Sequence, residues 1–460
     1  MTVLSNSLAA ADIATTLHPN TNLRQHERTG PLVIDRGEGI RVYDERGTEY
    51  IEGLAGLWSV AVGFSEPRLA EAAYKQMLKL PYYHTFSSKA HEPSISLAEK
   101  LVEMTPPNIN RVFFTSSGSE ANDTIVKMVW YMNNALGRPN KKKFLSRIKG
   151  YHGITVASGS LTGLPVNHRD FDLPAIPVHH LTCPHFYRFG AEGEDEAAFT
   201  ARLLAELETV ISTEGADTIA AFIGEPLMAA GGVLPPPVGY WEGVERICRA
   251  NDILIVSDEV ICGFGRLGKP FGCQKYGFTP DIMTLSKQIT SSYMPFAAVM
   301  FSDAIYQAIA DNSEKIGVFG HGFTASGHPV ASAVALENLA IIEERDLIGN
   351  AARLEAQFQA GLQAFAHHPL VGEARGAGLI GAVELVSNKA TRKPFKKIGR
   401  AGAIASAIGH EEGLIFRSIG DQLALCPPLI VTSEDITEIM ARMGRTLDRL
   451  PAAVAAEGLA

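Results

Sequence analysis

Cysteine is scarce in this sequence, and its few thiols form no recognisable pattern. Five cysteines occur among 460 residues, at Cys183, Cys248, Cys262, Cys273 and Cys426. Their odd number and scattered spacing indicate neither a disulfide framework nor a paired zinc site. A reducing compartment is the simplest setting for such a chain, and we expect a cytoplasmic location.

Long hydrophobic runs and an excess of positive charge are also absent. No stretch approaches the length of a membrane span, and the N-terminus lacks the basic start and continuous apolar core of an export signal. The formal net charge of -9 argues against a general nucleic-acid or anionic-membrane binder. With 46% hydrophobic and 20% charged residues, the composition is that of an ordinary globular protein with a large core.

Two short apolar runs in the middle of the chain each lead to a charged residue. Residues 253–256 and 282–285 are too short for helices and follow turn residues, which predicts two buried strands. The first run leads to Asp258 and the second to Lys287. Because the carboxyl ends of parallel strands open on one crevice, Asp258 and Lys287 are expected to face the same ligand.

A carboxylate and an amine in one crevice can serve two purposes. They can form a structural ion pair, or they can hold pyridoxal phosphate, which needs a lysine for a Schiff base and a carboxylate at its pyridine nitrogen. The sequence resembles the class III aminotransferases of fold type I, whose Asp-Glu-Val and Ser/Ala-Lys motifs match residues 258–260 and 286–287. One departure is Gln288, because the family usually has Gly after the lysine. The resemblance makes Lys287 and Asp258 the expected catalytic residues.

A turn of small residues follows a predicted strand at residues 112–114 and opens a helix. Its sequence, Thr-Ser-Ser-Gly-Ser at 115–119, offers free backbone N–H groups at a helix N-terminus, which can bind phosphate or can simply be capped. The sequence of this turn resembles the phosphate-binding loop of the class III aminotransferases. We therefore expect Ser117, Gly118 and Ser119 to bind the cofactor phosphate.

The resemblance implies further cofactor contacts. Tyr151 would stack on one face of the pyridine ring, Val260 would cover the other face, and His152 would also belong to the cofactor site. Glu225 follows a predicted strand and would lie beside the ring. Thr324 would reach the phosphate of the other subunit's cofactor, which implies a homodimer with shared active sites and leaves a tetramer open.

The resemblance also implies a set of substrate contacts, formed by Leu57, Trp58, Phe86, Tyr151, Ala230 and Arg417. Trp58 would provide an aromatic wall, although core packing explains it equally well from the sequence alone. Arg417, on a predicted loop of residues 417–421, would bind a substrate carboxylate and swing out for an uncharged amine. The alternative is a fixed surface ion pair.

Histidines cluster at His179, His180 and His185, within a stretch rich in Pro, Tyr and Gly. This stretch lacks the paired spacing of a zinc site, and we expect an irregular, solvated loop. The sequence therefore predicts no metal.

Two copies of the pattern G-x-G-x-x-G suggest an alternative function, that of a dinucleotide-dependent oxidoreductase. They lie at residues 263–268 and 376–381. The fingerprint requires a strand before it and a helix after it. The first copy is followed by Pro270, which opposes a helix, and the second is followed by a predicted strand. Neither copy therefore meets the requirement for a dinucleotide-binding fingerprint. A cofactor-binding regulator without catalysis would carry an added partner domain, for which no residues remain.

The resemblance thus implies an α/β fold of type I, with a large domain built on a mostly parallel seven-stranded sheet and a smaller α+β domain. We expect an N-terminal arm and part of the small domain at 1–65, the large domain at 66–340 and the C-terminal small domain at 341–460. The expected activity is ping-pong transfer of an amino group from a primary amine or ω-amino acid to a keto acid such as pyruvate. A decarboxylase or aminomutase of the same fold type stays open.

Overall fold

The computed structural model describes residues 7–459. The α-helices of this part are α1 Leu8–Thr15, α2 Leu23–Thr29, α3 Ala55–Trp58, α4 Pro67–Lys79, α5 Glu92–Met104, α6 Gly118–Ala135, α7 Val156–Leu161, α8 Phe186–Phe189, α9 Glu196–Glu214, α10 Tyr240–Ala250, α11 Gly272–Tyr276, α12 Asp303–Ile316, α13 Pro329–Glu344, α14 Leu347–Ala364, α15 Arg400–Glu411 and α16 Ser433–Ala456. The strands are β1 Ile34–Glu38, β2 Arg41–Asp44, β3 Glu49–Glu52, β4 Arg111–Thr115, β5 Lys143–Arg147, β6 Val178–Leu181, β7 Ile219–Gly224, β8 Leu254–Asp258, β9 Ile282–Leu285, β10 Ala297–Phe301, β11 Val371–Ala377, β12 Ile380–Leu385, β13 Leu414–Ile415, β14 Arg417–Ile419 and β15 Gln422–Leu425.

A seven-stranded sheet forms the centre of the fold, in the order β4-β10-β9-β8-β7-β5-β6. Only β10 runs against its neighbours, β4 and β9, so the sheet is mostly parallel. Strands β7, β9 and β10 are buried along their whole length, which explains their continuous apolar sequences: helices cover both faces of the sheet. The fold class expected from the sequence is confirmed.

Two four-stranded sheets flank the central one, in the orders β1-β2-β3-β13 and β11-β12-β15-β14. In the first, the antiparallel hairpin β1–β2 continues into β3, and β3 pairs in parallel with β13 through Ile51 and Leu414. Residues from both ends of the chain therefore build one sheet. The second copy of G-x-G-x-x-G lies in the β11–β12 hairpin, away from any helix N-terminus, as expected.

Several helices begin at residues that favour a helix start. Pro67 opens α4, and a full capping box between Thr432 and Asp435 opens α16. Ser117 caps α6, where its Oγ accepts a hydrogen bond from the Glu120 N–H at 3.2 Å. None of the helices within residues 7–459 is both long and apolar enough to cross a membrane.

Two predicted loops are strands in the structure. His179 and His180 do not lie in an irregular insertion but in β6, which pairs in parallel with β5. Because β6 is an edge strand, its polar residues reach solvent without weakening a core face. Arg417 begins β14 instead of a loop, and it pairs with Ala424 of β15 across a hairpin closed by Gly420, whose φ is 60°.

Candidate active site

Asp258 and Lys287 come together at the carboxyl ends of the adjacent parallel strands β8 and β9. Both line one cavity of about 110 Å³. Glu225, just after β7, and the turn that opens α6 line the same cavity. The crevice that the sequence predicted at these strand ends is therefore present, with a carboxylate, an amine and a helix N-terminus facing it.

Lys287 is held in an unusual backbone conformation directly after β9. Its φ is 49°, in the left-handed region that most residues avoid, and its side chain is half-buried. Burial lowers the pKa of the Lys287 amine, and the negative charges of Asp258 and Glu225 oppose that shift. A lowered pKa increases the fraction of neutral amine, which is the form that attacks a carbonyl carbon.

The Asp258 carboxylate is fixed by three donors and is only 3% exposed. Its Oδ2 accepts hydrogen bonds from His152 Nδ1 at 2.8 Å and Asn122 Nδ2 at 3.0 Å, and its Oδ1 accepts one from the Val260 N–H at 3.2 Å. Asn122 is in turn oriented by Thr284, whose hydroxyl donates to Asn122 Oδ1 at 2.7 Å. The carboxylate therefore has a defined orientation at the cavity wall.

Asn122 was missed by the sequence interpretation. It lies one helical turn after Gly118, on the α6 face that approaches the cavity, and is 1% exposed. A polar residue within an otherwise apolar helix face was the available signal. The strand that its carbonyl oxygen contacts is remote in sequence, so the role of Asn122 depends on tertiary structure.

Glu225 links two loops around the cavity. Its Oε1 accepts from the Tyr151 N–H at 3.0 Å and its Oε2 from the Ala229 N–H at 3.0 Å. Burial raises the pKa of the Glu225 carboxyl, and the nearby Asp258 charge raises it further, against the influence of His152. Glu225 thus holds both Tyr151 and the backbone that precedes Ala230.

The N-terminus of α6 provides an anion cradle. Among residues 7–459, the N–H groups of Gly118 and Ser119 have no acceptor, while Ser117 caps the helix. Ser119 Oγ accepts from the Ile154 N–H at 3.2 Å. A β-carbon at position 118 would lie 3.2 Å from Val260 Cγ2, so glycine permits the close approach of the two loops. Free N–H groups and the helix dipole both favour a phosphate here.

The cavity fits the chemistry of pyridoxal phosphate. The cradle at α6 suits its phosphate, the oriented Asp258 suits its protonated ring nitrogen, and Lys287 suits its carbonyl carbon. Tyr151, His152 and Val260 also line the cavity, as the resemblance implies. The individual roles of these residues remain predictions.

The residues expected to bind the substrate differ widely in their exposure to solvent. Trp58 is 1% exposed, has a φ of 65°, and belongs to an apolar cluster that includes Ala229 and the cavity-lining Ile261. It is not among the residues that line this cavity, and its contact with a substrate stays a prediction. Leu57 is 54% exposed, and Ala230 is half-buried.

Phe86 and Thr324 do not line the cavity of their own chain. Phe86 is 44% exposed and packs against Gly322, where an added β-carbon would lie 2.3 Å from the ring. Thr324 is exposed, and its carbonyl oxygen accepts from the Tyr82 hydroxyl at 2.8 Å. The two residues therefore lie on neighbouring exposed loops at the surface of the chain.

Arg417 is half-buried, and its guanidinium has no acceptor or anionic partner among the described residues. Burial lowers the pKa of Arg417, and the Tyr151 hydroxyl group opposes this effect. The Arg417 charge also lowers the pKa of Lys287, in addition to the larger effect of burial. A fixed ion pair is thus absent from this part of the chain, and a free cation lies within electrostatic range of the cavity.

Solved structures of ω-transaminases share this fold. The ω-transaminase of Pseudomonas jessenii in complex with PMP is 57% identical and has a TM-score of 0.96, covering 98% of this chain and 99% of its own. A thermostable ω-transaminase variant, W58M/F86L/R417L, engineered for asymmetric synthesis of enantiopure bulky amines, is 56% identical with a TM-score of 0.96, covering 97% of this chain and 100% of its own.

Curated plant proteins are also similar over most of their length. Gamma aminobutyrate transaminase 3, chloroplastic, of Solanum lycopersicum is 47% identical over 452 residues, which are 97% of this chain and 87% of that protein. Probable gamma-aminobutyrate transaminase 3, mitochondrial, of Oryza sativa subsp. indica is 49% identical over 418 residues, which are 91% of this chain and 82% of that protein.

The cytoplasmic location expected from the cysteine pattern is wrong by this comparison, since these relatives are named as chloroplastic or mitochondrial proteins. All five cysteines are free and buried. Buried reduced thiols are equally compatible with any reducing compartment, so their pattern could not identify one.

A family model described as aminotransferase class-III matches residues 23–447. The relatives and structures above are all named as transaminases, which favours transamination over the decarboxylase and aminomutase alternatives. The chain therefore belongs to the class III aminotransferases, and it is a pyridoxal-phosphate-dependent transaminase whose substrates are an amine and a keto acid.

Proposed function

We propose that this transaminase accepts an uncharged primary amine or an ω-amino acid as donor and a keto acid such as pyruvate as acceptor. The single observation that carries the proposal is the unpaired, half-buried Arg417 within electrostatic range of Lys287 and Tyr151. A guanidinium without a protein partner is available to bind a substrate carboxylate bidentately. Such a group suits the keto acid and the ω-amino acid, which both carry a carboxylate.

Apolar residues would accommodate the uncharged amine. This chain has Trp58, Phe86 and Arg417 at the numbers that were changed in the ω-transaminase variant engineered for bulky amines. We infer that the corresponding residues set the size limit for the amine here, with Leu57, Tyr151 and Ala230 completing the walls. Trp58 would act through the apolar cluster that it shares with the cavity-lining Ile261.

The protein residues have distinct tasks in this proposal. When bound, pyridoxal phosphate supplies a carbonyl that takes up the amino group and a ring that accepts electrons. Lys287 would hold the cofactor through its amine and, once displaced, would take the proton from the donor carbon. Asp258 would keep a proton on the ring nitrogen. Gly118 and Ser119 would hold the phosphate, with Ser117 as the cap of α6.

We further propose a homodimer in which Thr324 and Phe86 complete the partner's active site. Both lie on exposed loops and are not among the residues that line the cavity. A tetramer of such dimers stays open. Light scattering after size-exclusion chromatography is the test: a dimer or tetramer supports the proposal, and an active monomer contradicts it.

We also propose the domain boundaries at 65 and 340. The pairing of β3 with β13 supports the assignment of the N-terminal strands to the small domain, because these strands share a sheet with the C-terminal part.

Alanine formation tests the substrate proposal. The enzyme loaded with cofactor is assayed with pyruvate and, separately, with an uncharged arylalkyl amine and γ-aminobutyrate, and alanine is quantified. We expect alanine from both donors and parallel double-reciprocal plots, the sign of a ping-pong mechanism. Lys287→Ala serves as the inactive control. Absence of alanine with every amine tested, together with release of CO₂ from an amino acid, would instead identify a decarboxylase.

A further inference from the structure

Two clusters of metal-ligating side chains occur in residues 7–459 outside the active site. In each, one ligand atom from each of three residues lies within 4.8 Å of the others. One cluster consists of Asp12, His18 and His26, and the other of His185, Glu373 and Glu384. Neither takes part in the transamination described above.

The cluster at His185 is already neutralised by protein cations. Arg375 Nη1 lies 2.5 Å from Glu373 and 2.8 Å from Glu384, and Arg188 also pairs with Glu384. Two guanidinium groups therefore occupy the positions from which a metal ion would have to bind these carboxylates. This cluster is a buried ion-pair network and not a metal site.

The cluster at Asp12 has no such cation. Its Oδ2 lies 2.8 Å from His18 Nε2 and 2.9 Å from His26 Nε2, and these imidazoles are its only ionic partners within the described chain. The two rings lie with their centroids 4.2 Å apart, so both Nε2 atoms converge on one carboxylate.

The dimensions of this cluster suit a small transition-metal ion. With bonds of about 2.0 to 2.1 Å, ligand atoms around a tetrahedral ion lie about 3.3 Å apart, so the observed hydrogen-bonded spacing needs to open by only about half an ångström. The side chains of Asp12 and His18 are 24% and 28% exposed, and that of His26 is 10% exposed. An ion can therefore enter from solvent and retain water at its remaining position.

The three ligands come from separate elements of the N-terminal arm. Asp12 lies on α1, His26 lies on α2, and His18 lies in the connection between them. None of the residues of α1 or α2 is fully buried, so these short helices have little core of their own. A bound ion would cross-link them and stabilise the arm.

We propose that Asp12, His18 and His26 form a binding site for one borderline divalent metal ion of the Zn²⁺, Ni²⁺ and Cu²⁺ type. Two imidazoles and one carboxylate favour these ions over Mg²⁺ and Ca²⁺, which prefer sets of oxygen ligands. The site is independent of the proposed substrates, because none of its residues lines the active-site cavity.

Calorimetric titration of the untagged, cofactor-loaded enzyme with Zn²⁺ tests the site. The protein is first treated with a chelator and desalted. We expect saturation at one Zn²⁺ per chain, and a loss of affinity of at least about tenfold in Asp12→Asn and in His26→Gln. His179→Gln, an exposed histidine on β6, is the matched control and should bind as the wild type does.

A spectroscopic and a stability measurement complete the test. Co²⁺ added to the wild type should give visible absorption bands that are absent from Asp12→Asn, and Zn²⁺ should slow proteolytic cleavage within residues 7–29 of the wild type only. The Asp12→Asn enzyme should transaminate normally without metal, which shows that it is folded. Failure to saturate at one equivalent, or equal Zn²⁺ affinity in wild type and both variants, would overturn the proposal.

Discussion

His152 Nδ1 lies 2.8 Å from Asp258 Oδ2, and both side chains are almost fully buried beside the active-site cavity. The same Oδ2 accepts from Asn122, and within residues 7–459 Oδ1 accepts only from the Val260 N–H at 3.2 Å. Donors on both oxygens therefore fix the orientation of the carboxylate. This fixed position is the one that the proposed role of Asp258, holding a proton on the cofactor ring, requires.

Replacing Asp258 by Asn should slow proton abstraction while leaving cofactor binding largely intact. A carboxylate at contact distance raises the pKa of a ring nitrogen by about 1 to 3 units, each worth about 1.4 kcal/mol. We therefore expect the amine half-reaction to slow by about tenfold to a thousandfold, followed by stopped-flow absorbance. Asn122→Ala, which removes only one orienting donor, should slow it less. Unchanged half-reaction rates in Asp258→Asn would place the ring's partner elsewhere.

Replacing Lys287 by Ala should nearly abolish transamination. Among the residues that line the cavity, Lys287 is the only amine, so no other side chain there can form the Schiff base. Borohydride reduction followed by peptide mass spectrometry should find the pyridoxyl group on Lys287 in the wild type and no covalent adduct in the variant. A labelled lysine at another position in the wild type would contradict the assignment of the whole cavity.

Gln288, the departure from the usual family residue, should contribute measurably to stability. Its Nε2 donates to the carbonyl oxygens of Ile261 and Gly263 at 3.0 and 2.8 Å, and its Oε1 accepts from the buried Arg266 at 3.3 Å. Gln288→Gly would leave these buried groups without partners, at a cost of about 2 to 4 kcal/mol.

We expect a lower Tm for Gln288→Gly by differential scanning fluorimetry. Gln307→Ala, at an exposed position on α12, is the control and should have the Tm of the wild type. An unchanged Tm for Gln288→Gly would mean that water or a local shift satisfies the freed groups.

Glu52 should make stability depend on pH. It is 4% exposed, and burial raises the pKa of its carboxyl to about 8, while its Oε2 accepts from the Gly56 N–H in the loop that carries Trp58. The unfolded chain loses this proton near its ordinary pKa, so the stability present below about pH 4.5 declines as pH rises and is lost above about pH 8. The full effect is at most about 5 kcal/mol.

Glu52→Gln should therefore flatten the decline of Tm between about pH 5 and pH 8. The exposed Glu49 on the same strand provides the matched control, because Glu49→Gln should leave the slope unchanged. If the slope of Tm against pH were the same in Glu52→Gln and the wild type, Glu52 would not be the responsible group.

The elements that carry the cofactor site could be predicted because local sequence determines them. The apolar runs before Asp258 and Lys287 and the small residues at 115–119 indicate strand ends and a helix start without reference to distant residues. These segments meet in one cavity because the carboxyl ends of neighbouring parallel strands open on the same crevice.

The parts that could not be predicted depend on long-range contacts. His179 lies in a short edge strand that exists only by pairing with β5, and Arg417 lies in a three-residue strand defined by its pairing with β15. The burial of Trp58 requires left-handed backbone at Gly56 and Trp58, which no periodicity reveals. Asn122 acquires its partners from β8 and β9 only in the folded chain.

Replacing Arg417 by Ala should slow the half-reaction with pyruvate and leave the half-reaction with an uncharged amine almost unchanged. Its guanidinium has no protein partner within residues 7–459, so its removal leaves no buried anion unpaired and should not unfold the chain. Loss of a charge-assisted hydrogen bond costs about 1.5 to 3 kcal/mol, so Arg417→Ala should reduce kcat/KM for pyruvate by about tenfold to more than a hundredfold. The half-reaction with an uncharged amine lacks that carboxylate and should change little.

Stopped-flow measurement of each half-reaction separates these effects for Arg417→Ala. Arg400→Ala removes a partly exposed arginine that pairs with Glu457 outside the cavity, and it should leave both half-reactions unchanged. If γ-aminobutyrate is a donor, its use should fall together with that of pyruvate, because it also carries a carboxylate. Equal losses with pyruvate and with the uncharged amine would assign Arg417 a structural role, since removal of a carboxylate-binding group cannot slow a substrate that has no carboxylate.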